Sequence, residues 1–154
     1  MARDNTSYRE KLSGVFAPVT TPFDEKGEVS YQALEENIKK LNASRLRGYL
    51  VLGTNGEFKS LTEAERRKVL ETVVRVAGKD KVVMAGTGRE STKESIVATK
   101  EAASIGAHFA SLIAPSFFAK KMTDPVLLNH FRQISDTSSI PVLLYNNPDV
   151  AVVN

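Results

Sequence analysis

The sequence predicts an α/β protein built on a parallel sheet, and three observations predict it. Short, continuously apolar runs recur along the chain. Amphipathic stretches with helix-start and helix-stop residues lie between them. The runs begin about thirty residues apart, the size of a βαβ unit. They are Val15–Val19, Tyr49–Leu52, Val82–Ala85, Phe109–Ala114 and Val142–Tyr145. None alternates apolar with polar residues, which is how a parallel strand covered on both faces reads.

Residues 1–12 are polar and read as an arm or an oligomer contact, and the folded domain is expected over 13–154. After the first run, Tyr31, Leu34, Ile38 and Leu41 share one helix face behind Ser30. After the second, Thr62 with Glu65 fits a capping box, and Gly78 stands where that helix should stop. The third run is followed by Ser91 with Glu94, again a capping box, and by Gly106 at the far end. The fourth leads to Asp124-Pro125, read as an N-cap followed by proline at the first helical position, with Leu127, Leu128, Phe131 and Ile134 as the buried stripe.

Five strands and four helices fit a small doubly wound sheet complete in itself. They fit equally the first five strands and four helices of a parallel (β/α)8 TIM barrel, which takes ~250 residues. Periodicity does not choose between them. The lack of a helix pattern after Tyr145 favours the barrel, since a finished doubly wound domain usually ends on a covering helix.

Composition narrows the function classes. With 154 residues, 42% hydrophobic and 25% charged, the chain is an ordinary globular one. Its 21 basic and 18 acidic residues are interspersed, so no nucleic-acid or membrane footprint appears. Without cysteine there is no disulfide, thiolate metal site or thiol nucleophile. Two isolated histidines, His108 and His130, do not make a metal cage, and neither receives a catalytic role. His130 reads as a partly exposed or capping-network residue. The polar N-terminus and the absence of a ~20-residue apolar run predict a soluble cytoplasmic protein.

In either architecture the chemistry belongs at the carboxyl ends of the strands. Gly53-Thr54-Asn55-Gly56-Glu57 follows the second run, and its bracketing glycines let backbone N–H groups face a carboxylate or phosphate. The bland alternative is a turn with Asn-Gly in left-handed positions. Gly86-Thr87-Gly88 lacks a third glycine, since Ser91 stands there, and reads as turn chemistry rather than a dinucleotide fingerprint. Tyr145 closes the fifth run, where a phenol can relay protons if a neighbour shares its hydrogen bond. A packing role is the alternative.

Together these segments resemble the dihydrodipicolinate synthase / N-acetylneuraminate lyase family of pyruvate-dependent class I aldolases. The resemblance runs from about Ser13 onward. It is carried by Gly14-Val15-Phe16-Ala17-Pro18-Val19-Thr20-Thr21-Pro22-Phe23, Gly53-Thr54-Asn55-Gly56-Glu57, Ala85-Gly86-Thr87-Gly88 and Tyr145-Asn146-Asn147-Pro148. It implies a TIM barrel, a homotetramer or other homo-oligomer, pyruvate and an aldehyde as partners, and no cofactor or metal. It implies further that Thr54 and Tyr145 form a proton relay and that Asn55, through its backbone N–H, binds the pyruvate carboxylate. The family's Schiff-base lysine stands at the end of a sixth strand, which no residue of this sequence matches, so the chain alone is expected to be inactive. Where the dihydrodipicolinate synthases carry a second tyrosine, this chain has Phe117; Val150 replaces an arginine, and Ala151-Val152 replaces Thr-Gly. These differences point away from the lysine-biosynthesis reaction. They point toward 2-keto acids such as 4-hydroxy-2-oxoglutarate or sugar-derived keto acids.

Overall fold

A computed structural model of the chain describes residues 5–151; Val152 and the last two residues lie outside the described residues, as do the first four. A short helix, α1 (Asn5–Leu12), occupies most of the polar N-terminal stretch. It is followed by β1 (Phe16–Pro18), α2 (Tyr31–Asn42), β2 (Gly48–Val51), α3 (Glu63–Val76), β3 (Val82–Gly86), α4 (Thr92–Ile105), β4 (Phe109–Ile113), α5 (Asp124–Thr137), β5 (Val142–Tyr145) and the four-residue α6 (Pro148–Ala151). The strands form one parallel sheet in the order β1-β2-β3-β4-β5. That order separates the two architectures. A doubly wound sheet reverses at a switch point, so its strand order is not sequential. A sheet that lays each new strand beside the last by a helical crossover is winding a barrel. The chain carries the first five strands of one.

All five apolar runs are strands, but their covering differs. β4 is buried along its whole length and β2 nearly so. β1 and β5, the two ends of the strand order, are only partly covered, and Leu144 is 65% exposed. The expectation of burial on both faces therefore holds for the interior strands and fails at the edges, where one neighbour is lacking.

Up to Met84 the chain makes one compact unit. Leu34 and Ile38 of α2 are buried, as are Val69, Leu70 and Val73 of α3, and the two helices pack together. Thr62 and Glu65 make the reciprocal capping box: the Thr62 N–H donates to Glu65 Oε2 (2.7 Å) and the Glu65 N–H to Thr62 Oγ1 (3.3 Å). At the amino end of the strands, Asn42 accepts from the buried Tyr49 phenol (2.8 Å) and the Gly78 N–H (2.9 Å), and donates to the Val76 carbonyl (2.8 Å). Lys81 is buried beside this network. Its ammonium donates to the carbonyls of Ser44 (3.0 Å) and Leu46 (2.9 Å) and lies 3.2 Å from Asp80 Oδ2. A buried cation is tolerable only with such partners. This end is built for stability.

From Ala85 onward a second compact unit follows. Ser91 Oγ accepts from the Glu94 N–H (3.1 Å), the forward half of the predicted box. Gly106 closes α4 in the left-handed region, φ 110°. Two expectations for α5 need correction. The N-cap is Thr123, whose carbonyl accepts the Leu127 N–H (2.9 Å), and Asp124 is already helical. The buried positions are His130 and Ile134, whereas Leu128 is half exposed. His130 is only 5% exposed rather than partly exposed: its Nδ1 pairs with Thr92 Oγ1 of α4 (2.9 Å). That bond turns the histidine, and not Leu128, toward α4.

Candidate functional site

The loop after β2 starts with strain. Leu52 leaves the strand at φ 59° while buried, and Glu57 sits at φ 53°. Non-glycine residues pay roughly 1–2 kcal/mol for that region. Between them Thr54–Gly56 forms a 3-10 turn, closed by the Gly56 N–H to Gly53 O and the Glu57 N–H to Thr54 O, both 3.0 Å. The left-handed residues are thus Leu52 and Glu57; neither Asn55 nor Gly56 is left-handed, which corrects the Asn-Gly turn reading. Gly56 is needed for space: a Cβ there would lie 2.9 Å from the Val19 carbonyl oxygen.

Two side chains and a buried apolar pair hold this shape. Thr21 Oγ1 donates to the Gly56 carbonyl (2.7 Å). Arg66 of α3 donates from Nε to the Phe58 carbonyl (2.7 Å) and lies over the Phe58 ring. Phe58 and Leu61 are buried beneath. Thr54 and Asn55 are left exposed at the top, and their backbone N–H groups, the first of the turn, are not spent inside it. Two such donors beside a hydroxyl and an amide suit a carboxylate.

The second unit presents its own cluster at the carboxyl ends of β3, β4 and β5. Gly88 lies so near Ile113 that a Cβ would stand 2.9 Å from the Ile113 carbonyl oxygen. The Thr87 N–H reaches Ser111 O (3.0 Å), and the Thr87 hydroxyl meets that of Thr99 in the interior (2.8 Å). Gly86-Thr87-Gly88 is packing and turn chemistry, as its sequence suggests. Tyr145, opposite Ile113 in the parallel register, ends β5 half-buried, and its phenol oxygen accepts from Asn147 Nδ2 (2.9 Å).

Sequence reasoning missed Glu90. Its Oε2 accepts from the backbone N–H groups of Ser116 and Phe117, both 2.9 Å, and Oε1 lies 3.3 Å from Ser116 Oγ. The carboxylate thereby fixes the loop after β4. That loop displays Phe117 (78% exposed) and Phe118 (64% exposed), packed edge to face, beside a cleft of about 370 Å³ that Lys120 and Lys121 also line. Nothing in the sequence marks Glu90, because its partners are backbone groups 26 and 27 residues away. Among the described residues no three of His, Asp and Glu gather as they would around a metal, and no helix is long and apolar enough to cross a membrane.

A parallel sheet that adds each strand beside the last in sequence order defines a (β/α) barrel protein. Over residues 11–154 the chain matches the dihydrodipicolinate synthetase family, and it belongs to that family. Among its relatives is a 4-hydroxy-tetrahydrodipicolinate synthase of Methanothrix thermoacetophila, 38% identical over 88% of this chain and 44% of the relative. Another is a putative mitochondrial 4-hydroxy-2-oxoglutarate aldolase of Coccidioides immitis, 35% identical over 89% of this chain and 44% of the relative. The dihydrodipicolinate synthase of Acinetobacter baumannii, solved with pyruvate, superimposes with a TM-score of 0.87 at 32% identity, over 92% of this chain and 48% of that one. The chain spans about half the length of the relatives it matches.

Proposed function

We propose that the chain is the N-terminal part of a lyase that makes or breaks a carbon–carbon bond of a 2-keto acid through a pyruvate Schiff base. The observation that carries this reading is the Thr54–Gly56 turn, flanked by left-handed residues, whose first two residues are exposed and keep backbone donors that the turn does not use and a keto-acid carboxylate could take. Asn55 then binds that carboxylate through its N–H. Tyr145 and Thr54 form the proton relay: once the pyruvate carbonyl has condensed with an amine and released water, the methyl group loses a proton to give the enamine, and the phenol carries protons to and from the substrate. The amine comes from outside this sequence. Lys81 is committed to two carbonyls and Asp80, and none of the other lysines ends a strand.

The pyruvate-bound relative supports a keto acid as one partner, and an aldehyde is the other. Phe117 has no phenolic proton to give, and Val150 no cation for a second carboxylate. Both favour 4-hydroxy-2-oxoglutarate or sugar-derived keto acids over the lysine-biosynthesis substrate. The resemblance extends the reading to a homo-oligomer.

Borohydride trapping with pyruvate, read by intact mass, tests this reading. The chain alone is expected to give no adduct. Complemented by the half of a family member that follows the fifth strand, it is expected to give one on the added polypeptide. An adduct on a lysine of this chain would overturn the assignment of the amine. Complexes that co-elute but never trap pyruvate would overturn the whole reading.

A further inference from the structure

We propose that Asn147 is a positioning residue for the Tyr145 phenol, fixing the direction in which its proton leaves and returns. The inference rests on the reading of Tyr145 as the proton carrier.

The distance from Asn147 Nδ2 to the Tyr145 oxygen is 2.9 Å. An amide nitrogen only donates, so the phenol oxygen is the acceptor, and its single proton is left for a different partner. An otherwise unheld O–H swings between acceptors in the plane of the ring. With one lone pair occupied, the proton has one outlet. The same bond changes strength through a proton transfer. When Tyr145 gives up its proton the oxygen turns anionic, and the N–H···O contact becomes charge-assisted and stronger. Asn147 thus favours the state that a relay must reach and then leave.

The backbone holds the amide in place. Asn147 precedes Pro148, which confines it to extended conformations, and its carbonyl accepts the Val150 N–H (3.1 Å) as α6 begins. A rival role follows from that position, because asparagine is a favoured helix N-cap. The two roles use different atoms: a cap accepts through the side-chain oxygen, and the bond to Tyr145 donates through the nitrogen. Asn147→Ser keeps a capping oxygen but is too short to reach the phenol. Asn147→Asp keeps the size and the capping oxygen and loses the donor.

The test uses the full 154-residue chain. Tyrosine resonance Raman spectra report whether a phenol oxygen accepts a hydrogen bond, and subtracting the spectrum of Tyr145→Phe isolates Tyr145 from the other tyrosines. The wild type should show an acceptor phenol. Asn147→Ser and Asn147→Asp should both lose that signature while the melting temperature of Asn147→Ser stays at the wild-type value. A wild-type phenol that does not accept, or an unchanged signature in both variants, overturns the proposal. In the complemented aldolase, both variants should lower kcat about tenfold with an unchanged KM for pyruvate. Full kcat in Asn147→Asp, or a loss confined to KM, overturns it too. Failure of pyruvate trapping in the wild type would instead remove the aldolase reading and leave the Raman result standing.

Discussion

The loops at the carboxyl ends of the strands are built by two different means. After β2 the shape is made mainly by backbone: two left-handed residues, a 3-10 turn, and a glycine whose missing side chain admits the Val19 carbonyl, with the Thr21 and Arg66 side chains bonded to its carbonyls. After β4 and β5 it is made by side chains: Glu90 gathers the Ser116 and Phe117 N–H groups, and Asn147 holds the Tyr145 phenol. The difference teaches where each region is fragile. A backbone-built loop tolerates changes of polarity and fails on changes of volume. A side-chain-built loop does the reverse, since one carboxylate or one amide carries it.

The largest effect that would sharpen this contrast comes from volume. Gly56→Ala places a Cβ against backbone that cannot move cheaply, and should cost about 1–3 kcal/mol in chemical denaturation. Replacement of the neighbouring exposed Asn55 by Ala should cost under about 0.5 kcal/mol. Equal losses at the two positions would break the comparison.

Next comes charge. Glu90→Gln keeps the size and replaces one acceptor oxygen with a donor, so the loop after β4 should open locally. Hydrogen exchange at the Ser116 and Phe117 amides should accelerate about tenfold with little change in global stability. Unchanged exchange at both amides would show that the clamp is not what orders Phe117 and Phe118.

The smallest effects are those of pH, and they too divide the units. The Arg75 guanidinium, with help from Lys39, holds the Glu35 carboxyl at about 2, below its ordinary 4.5. Its contribution is therefore complete above about pH 4.5 and is lost as pH falls toward 2. Burial lowers the His130 value from the ordinary 6.5, so the fold disfavours its charged form. Stability from that group is complete above about 6.5 and is lost as pH falls through the lowered value. Residue-resolved hydrogen exchange on acidification should thus show protection falling around α4 and α5 before it falls around α2 and α3. His130→Gln should remove the first loss, and Glu35→Gln the second. The reverse order would contradict the assignment.

Much of this molecule was legible before its structure. The apolar runs, the Thr62–Glu65 box and the Gly106 stop are local signals, each decided within a few residues, and each stands where the sequence puts it. Thr54, Asn55 and Tyr145 were legible as candidates because they follow strand ends. The errors share one cause. Leu128 was placed in the core, His130 was read as partly exposed or as part of a capping network, and the alternative turn reading put left-handed positions at Asn55-Gly56. Each depends on what lies across from the residue: Thr92 for His130, the Val19 carbonyl for Gly56.

The sequence by itself determined the repeated strand–helix order, the boundaries of α2 to α5 to within a residue or two, and the residues offered at the carboxyl ends, but it gave no sign of α1 or α6. Those follow from periodicity and from backbone groups that must be satisfied nearby. Periodicity left a wound barrel and a doubly wound sheet both open, and the resemblance implied the barrel. The sequential strand order of the tertiary structure decided for it, because strand order leaves no mark on periodicity. Only the tertiary structure showed that Glu90 and Asn147 hold the loops, since a single long-range hydrogen bond adds nothing to a local pattern, and one between near neighbours depends on how the chain turns.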